Sequence, residues 1–176
     1  MRVNLAMSGC ATVVVAMTAL TMSPALAQGL IAKKRLSAAL AMEAVMEAVD
    51  VCKKAGYVVT AIVVDNEGVR QAVIRGDGAT VHTLDSAYAK AYTAASLAPV
   101  RKDGSTKGLS ERIAKTPGVS TAGLASLPNI NFTPGGVTIM AGDEAIGGIG
   151  VGGAPGGNFD HDCAVAALDK IKDRMK

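Results

Sequence analysis

From Leu36 to Lys54 the polar residues Glu43, Glu47, Asp50 and Lys54 recur at helical spacing, and Met42, Val45, Met46, Val49 and Cys52 form the opposing apolar stripe. A 3.6-residue repeat of this kind predicts an amphipathic helix with one buried face. Ala55-Gly56 ends it, since glycine takes the left-handed cap conformation without steric cost. Val58–Val64 then changes to a short run that is apolar on both faces, as expected of a central strand covered on both sides. Asp65-Asn66-Glu67-Gly68 reads as a turn, and Val69–Ile74 returns as the second strand of a hairpin.

The helical period resumes at Leu84, Ala87, Tyr88, Ala91 and Ala95, predicting a helix from Thr83 to Leu97 that stops before Pro99. A polar loop, Val100–Lys107, leads to two short helices, Leu109–Lys115 and Val119–Leu127, separated by Thr116-Pro117-Gly118. Val137–Ala141 and Ala145–Val151 flank the turn Gly142-Asp143-Glu144 and read as a second hairpin. After Gly152–Phe159 a last helix runs Asp160–Met175, buried through Ala164, Leu168, Ile171 and Met175. No repeat appears at solenoid periods. Helix, hairpin, helices, hairpin, helix describes an α+β domain, an antiparallel sheet with helices packed on it.

The start of the chain follows neither period. Arg2 is the only charge before Lys33, and an apolar run through Val13-Val14-Val15-Ala16-Met17 ends at Ala25-Leu26-Ala27. A basic start, an apolar middle and small residues at the −3 and −1 positions predict a signal peptide over residues 1–27, cut after Ala27. The apolar middle is shorter than the roughly 20 residues of a membrane span, and no basic cluster follows it. The expected mature chain, residues 28–176, is one secreted domain in the periplasm or outside the cell, with no stable membrane anchor. Cys10 leaves with the leader.

Composition narrows the functional classes. Losing Arg2 lowers the formal charge from +3 to +2, no basic block stands out, and aromatics make up 3% of the chain. Neither an electrostatic footprint nor a stacking platform for bases is present, so nucleic acid is not an expected partner. The mean hydropathy of +0.31 and the abundance of Gly and Ala suggest a domain that completes its burial with copies of itself. Gly148-x-Gly150-x-x-Gly153 satisfies the dinucleotide fingerprint literally. Its first two glycines lie inside a predicted strand, however, and Pro155 separates the third from the helix. The fingerprint requires these glycines in a strand-to-helix turn of a parallel βαβ unit. They are read instead as places of close backbone approach, to a ligand or a neighbouring subunit. Catalysis has little support: no Ser–His–Asp order, no nucleophile elbow and no acidic pair set apart from ordinary surface charge.

The stretch Arg75-Gly76-Asp77-Gly78-Ala79-Thr80-Val81-His82-Thr83-Leu84-Asp85-Ser86-Ala87-Tyr88-Ala89-Lys90-Ala91-Tyr92-Thr93-Ala94-Ala95-Ser96 resembles the GlcG/HbpS family of haem-binding proteins. So do Gly147–Gly157 and Asp160-His161-Asp162-Cys163-Ala164, and the likeness runs through the whole mature chain. The resemblance implies a five-stranded antiparallel sheet flanked by helices, related to profilin and PAS-like folds, in a homo-oligomer. It also implies haem as cofactor and, in some members, a role as accessory to a membrane sensor kinase. A related domain ends some corrinoid adenosyltransferases, so a corrinoid or an organic acid is the alternative ligand.

Haem ligands differ between members, so the local residues must supply the candidates. His82 precedes a predicted helix, whose partial positive charge keeps the imidazole neutral, as a metal ligand requires. Arg75 upstream and Lys90 downstream could meet a haem propionate. The alternative for His82 is a helix-start residue bonded to backbone. Tyr88 and Tyr92, four apart on one face, offer phenolate ligands, although tyrosines so placed are more often core residues with bonded hydroxyls. His161, between Asp160 and Asp162, is the weaker histidine. The expected mature chain also keeps Cys52 and Cys163, whose spacing matches no zinc pattern. If the first and last helices pack antiparallel on one sheet face, these two meet, as a disulfide or as buried thiols.

Overall fold

Ser37 starts the first helix: its hydroxyl accepts the Leu40 N–H at 3.3 Å, and α1 runs Ala38–Lys54. This computed structural model describes residues 29–118 and 120–175, so the signal-peptide expectation for residues 1–27 lies outside the described residues. Next come β1 (Thr60–Asp65), β2 (Arg70–Arg75), α2 (His82–Arg101), α3 (Thr106–Ala114) and α4 (Ala122–Ala125). Then follow β3 (Gly136–Ala141), β4 (Glu144–Gly152), α5 (Gly157–Ile171) and a 3₁₀ turn, Lys172–Arg174. No described helix is long and apolar enough to cross a membrane.

The sheet is antiparallel throughout, in the order β2-β1-β4-β3. Both predicted hairpins form and join through β1 and β4, and all six residues of β1 are buried between its two neighbours. The sheet has four strands among the described residues, not the five implied by the family resemblance. Ser105 makes one isolated bridge to Val137, and the Thr138 N–H donates to the Gly104 carbonyl, on the outer edge of β3. A further strand would lie there, but the Ser105 hydroxyl already accepts the Gly108 N–H and turns the chain into α3.

Helices cover both faces. On one, α1 and α5 pack with Ala61, Val63, Ile139, Ile149 and Val151 into the larger core. The buried side of α1 is Ala41, Ala44, Val45, Ala48 and Cys52, whereas Met42 and Met46 stay 45% and 46% exposed. The predicted stripe is therefore rotated: the alanines let α1 sit close, and the longer methionines flank the contact. Cys52 and Cys163 form a disulfide that joins the C-terminal turn of α1 to the first turns of α5, with Cα atoms 5.7 Å apart.

On the other face α2 lies over β1, β4 and β3. It continues through Pro99 to Arg101, beyond the predicted stop, and closes on Lys102 in the left-handed conformation at φ 59°. The Asp103 and Lys102 N–H groups cap the Ala98 and Pro99 carbonyls. Gly148, Gly150 and Gly152 alternate along β4 and share the face beneath α2. A Cβ on Gly150 would strike the Ala87 carbonyl, and one on Gly148 the Ala91 carbonyl. The close approach read from these glycines is thus to the chain's own helix backbone. Gly150→Ala should cost about 2 kcal/mol or more by overpacking a contact that only backbone shifts can relieve. A denaturant midpoint equal to wild type would show that α2 has slack there.

Candidate functional site

The chain between β2 and α2 brings two of the predicted site residues to one end of the sheet. Arg75 is the last residue of β2 and stands opposite Thr60 on β1. The Thr60 and Thr83 hydroxyls lie 2.7 Å apart in a buried hydrogen bond, and Thr83 follows His82. Both Arg75 and His82 are exposed, and Arg75 has no hydrogen-bond or ion-pair partner among the described residues.

His82 is the first residue of α2, with Nδ1 3.2 Å from the Thr80 hydroxyl. Its Nε2 has no partner among the described residues. When Nδ1 carries the proton and donates it to Thr80, Nε2 presents a lone pair outward. This second contact is the kind that fixes tautomer and ring orientation in metal-ligating histidines. Val81 beside it is exposed, as is Val73, which shares its strand face with Arg75. An oriented imidazole, a free guanidinium and exposed apolar side chains can together hold a flat, apolar molecule that carries carboxylates.

The remaining candidates are placed elsewhere. Lys90, expected to be open to a propionate, is buried with 4% exposure. Its Nζ donates to Asp160 Oδ2 at 2.7 Å and to the Val151 carbonyl at 3.0 Å, so its charge is already committed. Tyr88 lies six residues beyond His82, roughly 9 Å along the helix axis. Its hydroxyl donates to the Gly68 carbonyl at 3.1 Å, and the Arg70 guanidinium stacks 3.5 Å over its ring. Tyr92 packs against Gly68, with its ring centroid 6.1 Å from that of Tyr88. Both tyrosines thus hold the β1–β2 turn, where the Asp65 carboxylate also accepts the Glu67 and Val69 N–H groups.

His161 is half-buried on α5, and its Nδ1 is fully buried without a hydrogen-bond partner. Burial, with the Lys107 ammonium nearby, lowers its pKa below the usual imidazole value, against the opposing pull of Asp162 and Glu111. That nitrogen is closed to any ligand as large as a porphyrin. The described residues hold no group of three or more His, Cys, Asp or Glu side chains able to bind a bare metal ion.

Two features escaped the sequence reading. Thr80 orients His82, and only its two-residue spacing from the histidine could have suggested it. Asp160 holds Lys90, yet an acid in the first turn of a helix ordinarily signals nothing beyond a favourable dipole contact. A cleft of about 310 Å³ also opens between the C-terminal half of α1 and the end of β2, with Arg75 among its lining residues.

Residues 36–169 match the sequence profile of the family described as "Haem degrading protein HbpS-like". The chain is similar to the crystal structure of HbpS at 33% identity and a TM-score of 0.70, over 81% of this chain and 94% of that one. A double mutant of Streptomyces reticuli HbpS gives 32% identity and a TM-score of 0.71, over 93% and 99% of the two chains. The crystal structure of a PduOC:heme complex gives 25% identity and a TM-score of 0.66, over 77% and 94%. Among curated proteins nothing matches significantly.

Proposed function

The chain belongs to the HbpS-like family of haem degrading proteins, and on that premise we propose that it is a secreted haem-binding protein whose iron ligand is His82. The observation that carries this reading is the exposed imidazole at the start of α2, held through Nδ1 by Thr80 and open at Nε2. Arg75, at the same end of the sheet and without an intramolecular partner, meets a propionate in this reading. Val81 and Val73 supply apolar contact. The haem, when bound, would supply the redox chemistry of its iron; the protein's part is to orient His82 through Thr80 and to neutralise a carboxylate.

Secretion rests on the leader-like residues 1–27 and accords with a buried disulfide, a bond that persists in oxidising compartments. Self-association is supported by the open edge of β2 and the exposed Val69 at its start. A role beside a membrane sensor kinase completes the same reading.

A hemin titration of residues 28–176 tests it. The wild-type protein should give a saturable Soret shift. His82→Ala should weaken binding at least roughly tenfold or move the Soret band, with the melting curve unchanged, by analogy with the penalty for disturbing a ligand's supporting contacts. An unaltered titration in His82→Ala would remove the histidine from the site. No saturable shift in the wild type would overturn haem in favour of a corrinoid or an organic acid.

A further inference from the structure

The cleft between α1 and β2 has an apolar floor and an unneutralised rim. Val49, Val59 and Ile74 line its inside, and Gly76 keeps it open, since a Cβ there would meet the Val59 carbonyl at 2.8 Å and Val49 Cγ1 at 3.3 Å. Asp50 and Lys53 stand on the α1 lip and Arg75 and Asp77 on the β2 lip, all four exposed. None of the four has a hydrogen-bonded or ion-paired side chain among the described residues. Each lip therefore offers one cation and one anion to whatever enters.

We propose that this cleft is a second ligand site, for a small zwitterion with an apolar side chain: a free α-amino acid. A plain carboxylate would lie against two unneutralised acids, and a plain amine against two free cations. A neutral apolar molecule would use none of the four charges, which would stay hydrated at the exposed rim. The zwitterion presents carboxylate to Lys53 or Arg75 and ammonium to Asp50 or Asp77, and its side chain covers the valine and isoleucine floor. The volume of about 310 Å³ lies at the small end of ligand pockets, which suits a molecule of this size.

Calorimetric titration of residues 28–176 with glycine, L-valine, L-leucine and L-phenylalanine tests the site. Arg75 also serves the haem reading, so the variants are Asp50→Asn and Lys53→Met, which that reading does not use. At least one of the apolar amino acids should bind saturably and more tightly than glycine, and its amide and its des-amino acid should not bind. Each variant should weaken it roughly tenfold, the loss of one charge-assisted hydrogen bond, while leaving the hemin titration as in wild type. His82→Ala should leave amino-acid binding intact, so the two sites fail independently. Absence of saturable heat with all four amino acids, equal binding of the amide, or unchanged affinity in both variants would overturn the proposal.

Discussion

Replacing Lys90 by methionine should destabilise the domain by about 3–5 kcal/mol, the cost of stranding one member of a buried ion pair. Asp160 would keep its charge inside the protein, at 2% exposure, with only the Ala154 N–H (3.0 Å) left to satisfy it. The Val151 carbonyl would lose its Lys90 donor as well. In a chain of this size the melting temperature should fall by about 10 °C. Adding Asp160→Asn should restore a good part of the loss, because the amide oxygen still accepts from Ala154 and no charge remains buried. Thermal melts of the single and double variants decide it. A single variant as stable as wild type would show that the pair contributes nothing net, and a double variant worse than the single would remove the charge from the explanation.

The second large effect lies at the disulfide. Cys52 and Cys163 are 111 residues apart, and the bridge closes a loop containing the whole sheet and α2. In the chain-entropy account a loop of this length is worth up to about 4–5 kcal/mol, and losses of about 2–5 kcal/mol are typical when native bridges are removed. Cys52→Ala/Cys163→Ala should lower the urea midpoint accordingly. Reductant should move wild type toward the variant and leave the variant where it is. Alkylation of residues 28–176 in denaturant without reductant should modify neither cysteine; two modified thiols, or equal midpoints, would contradict a structural bridge.

Much of this architecture was legible in the sequence because its periods are plain. The double-sided apolar run at β1, both hairpin turns and the approach of Cys52 to Cys163 all follow from local pattern and antiparallel helix packing. The errors have separate physical origins. Met42 and Met46 were counted into the buried stripe because hydropathy cannot tell a flank from a centre; the smaller alanines set the contact distance. Pro99 was read as a stop, although a proline late in a helix forfeits one hydrogen bond that neighbouring packing can outweigh. The fifth strand came from the family likeness alone, where the hairpins themselves gave four. At the candidate site, the placement of Arg75 and His82 at one end of the sheet is open to inference from their spacing. Lys90 was not, because its partner lies 70 residues away in a segment that reads as surface.

The strand order carries a consequence for how the chain finds its structure. The β1–β2 and β3–β4 ribbons each close over a short turn, so they can zip early and independently. The seam between them, Thr60 against Gly152 through Asp65 against Gly147, joins positions roughly 80–90 residues apart and bears a loop-closure entropy that neither ribbon meets. Non-local pairing of this kind sets the pace of folding. The β1–β4 seam is therefore the pairing expected to form last, and substitutions there should slow folding more than substitutions in either hairpin turn.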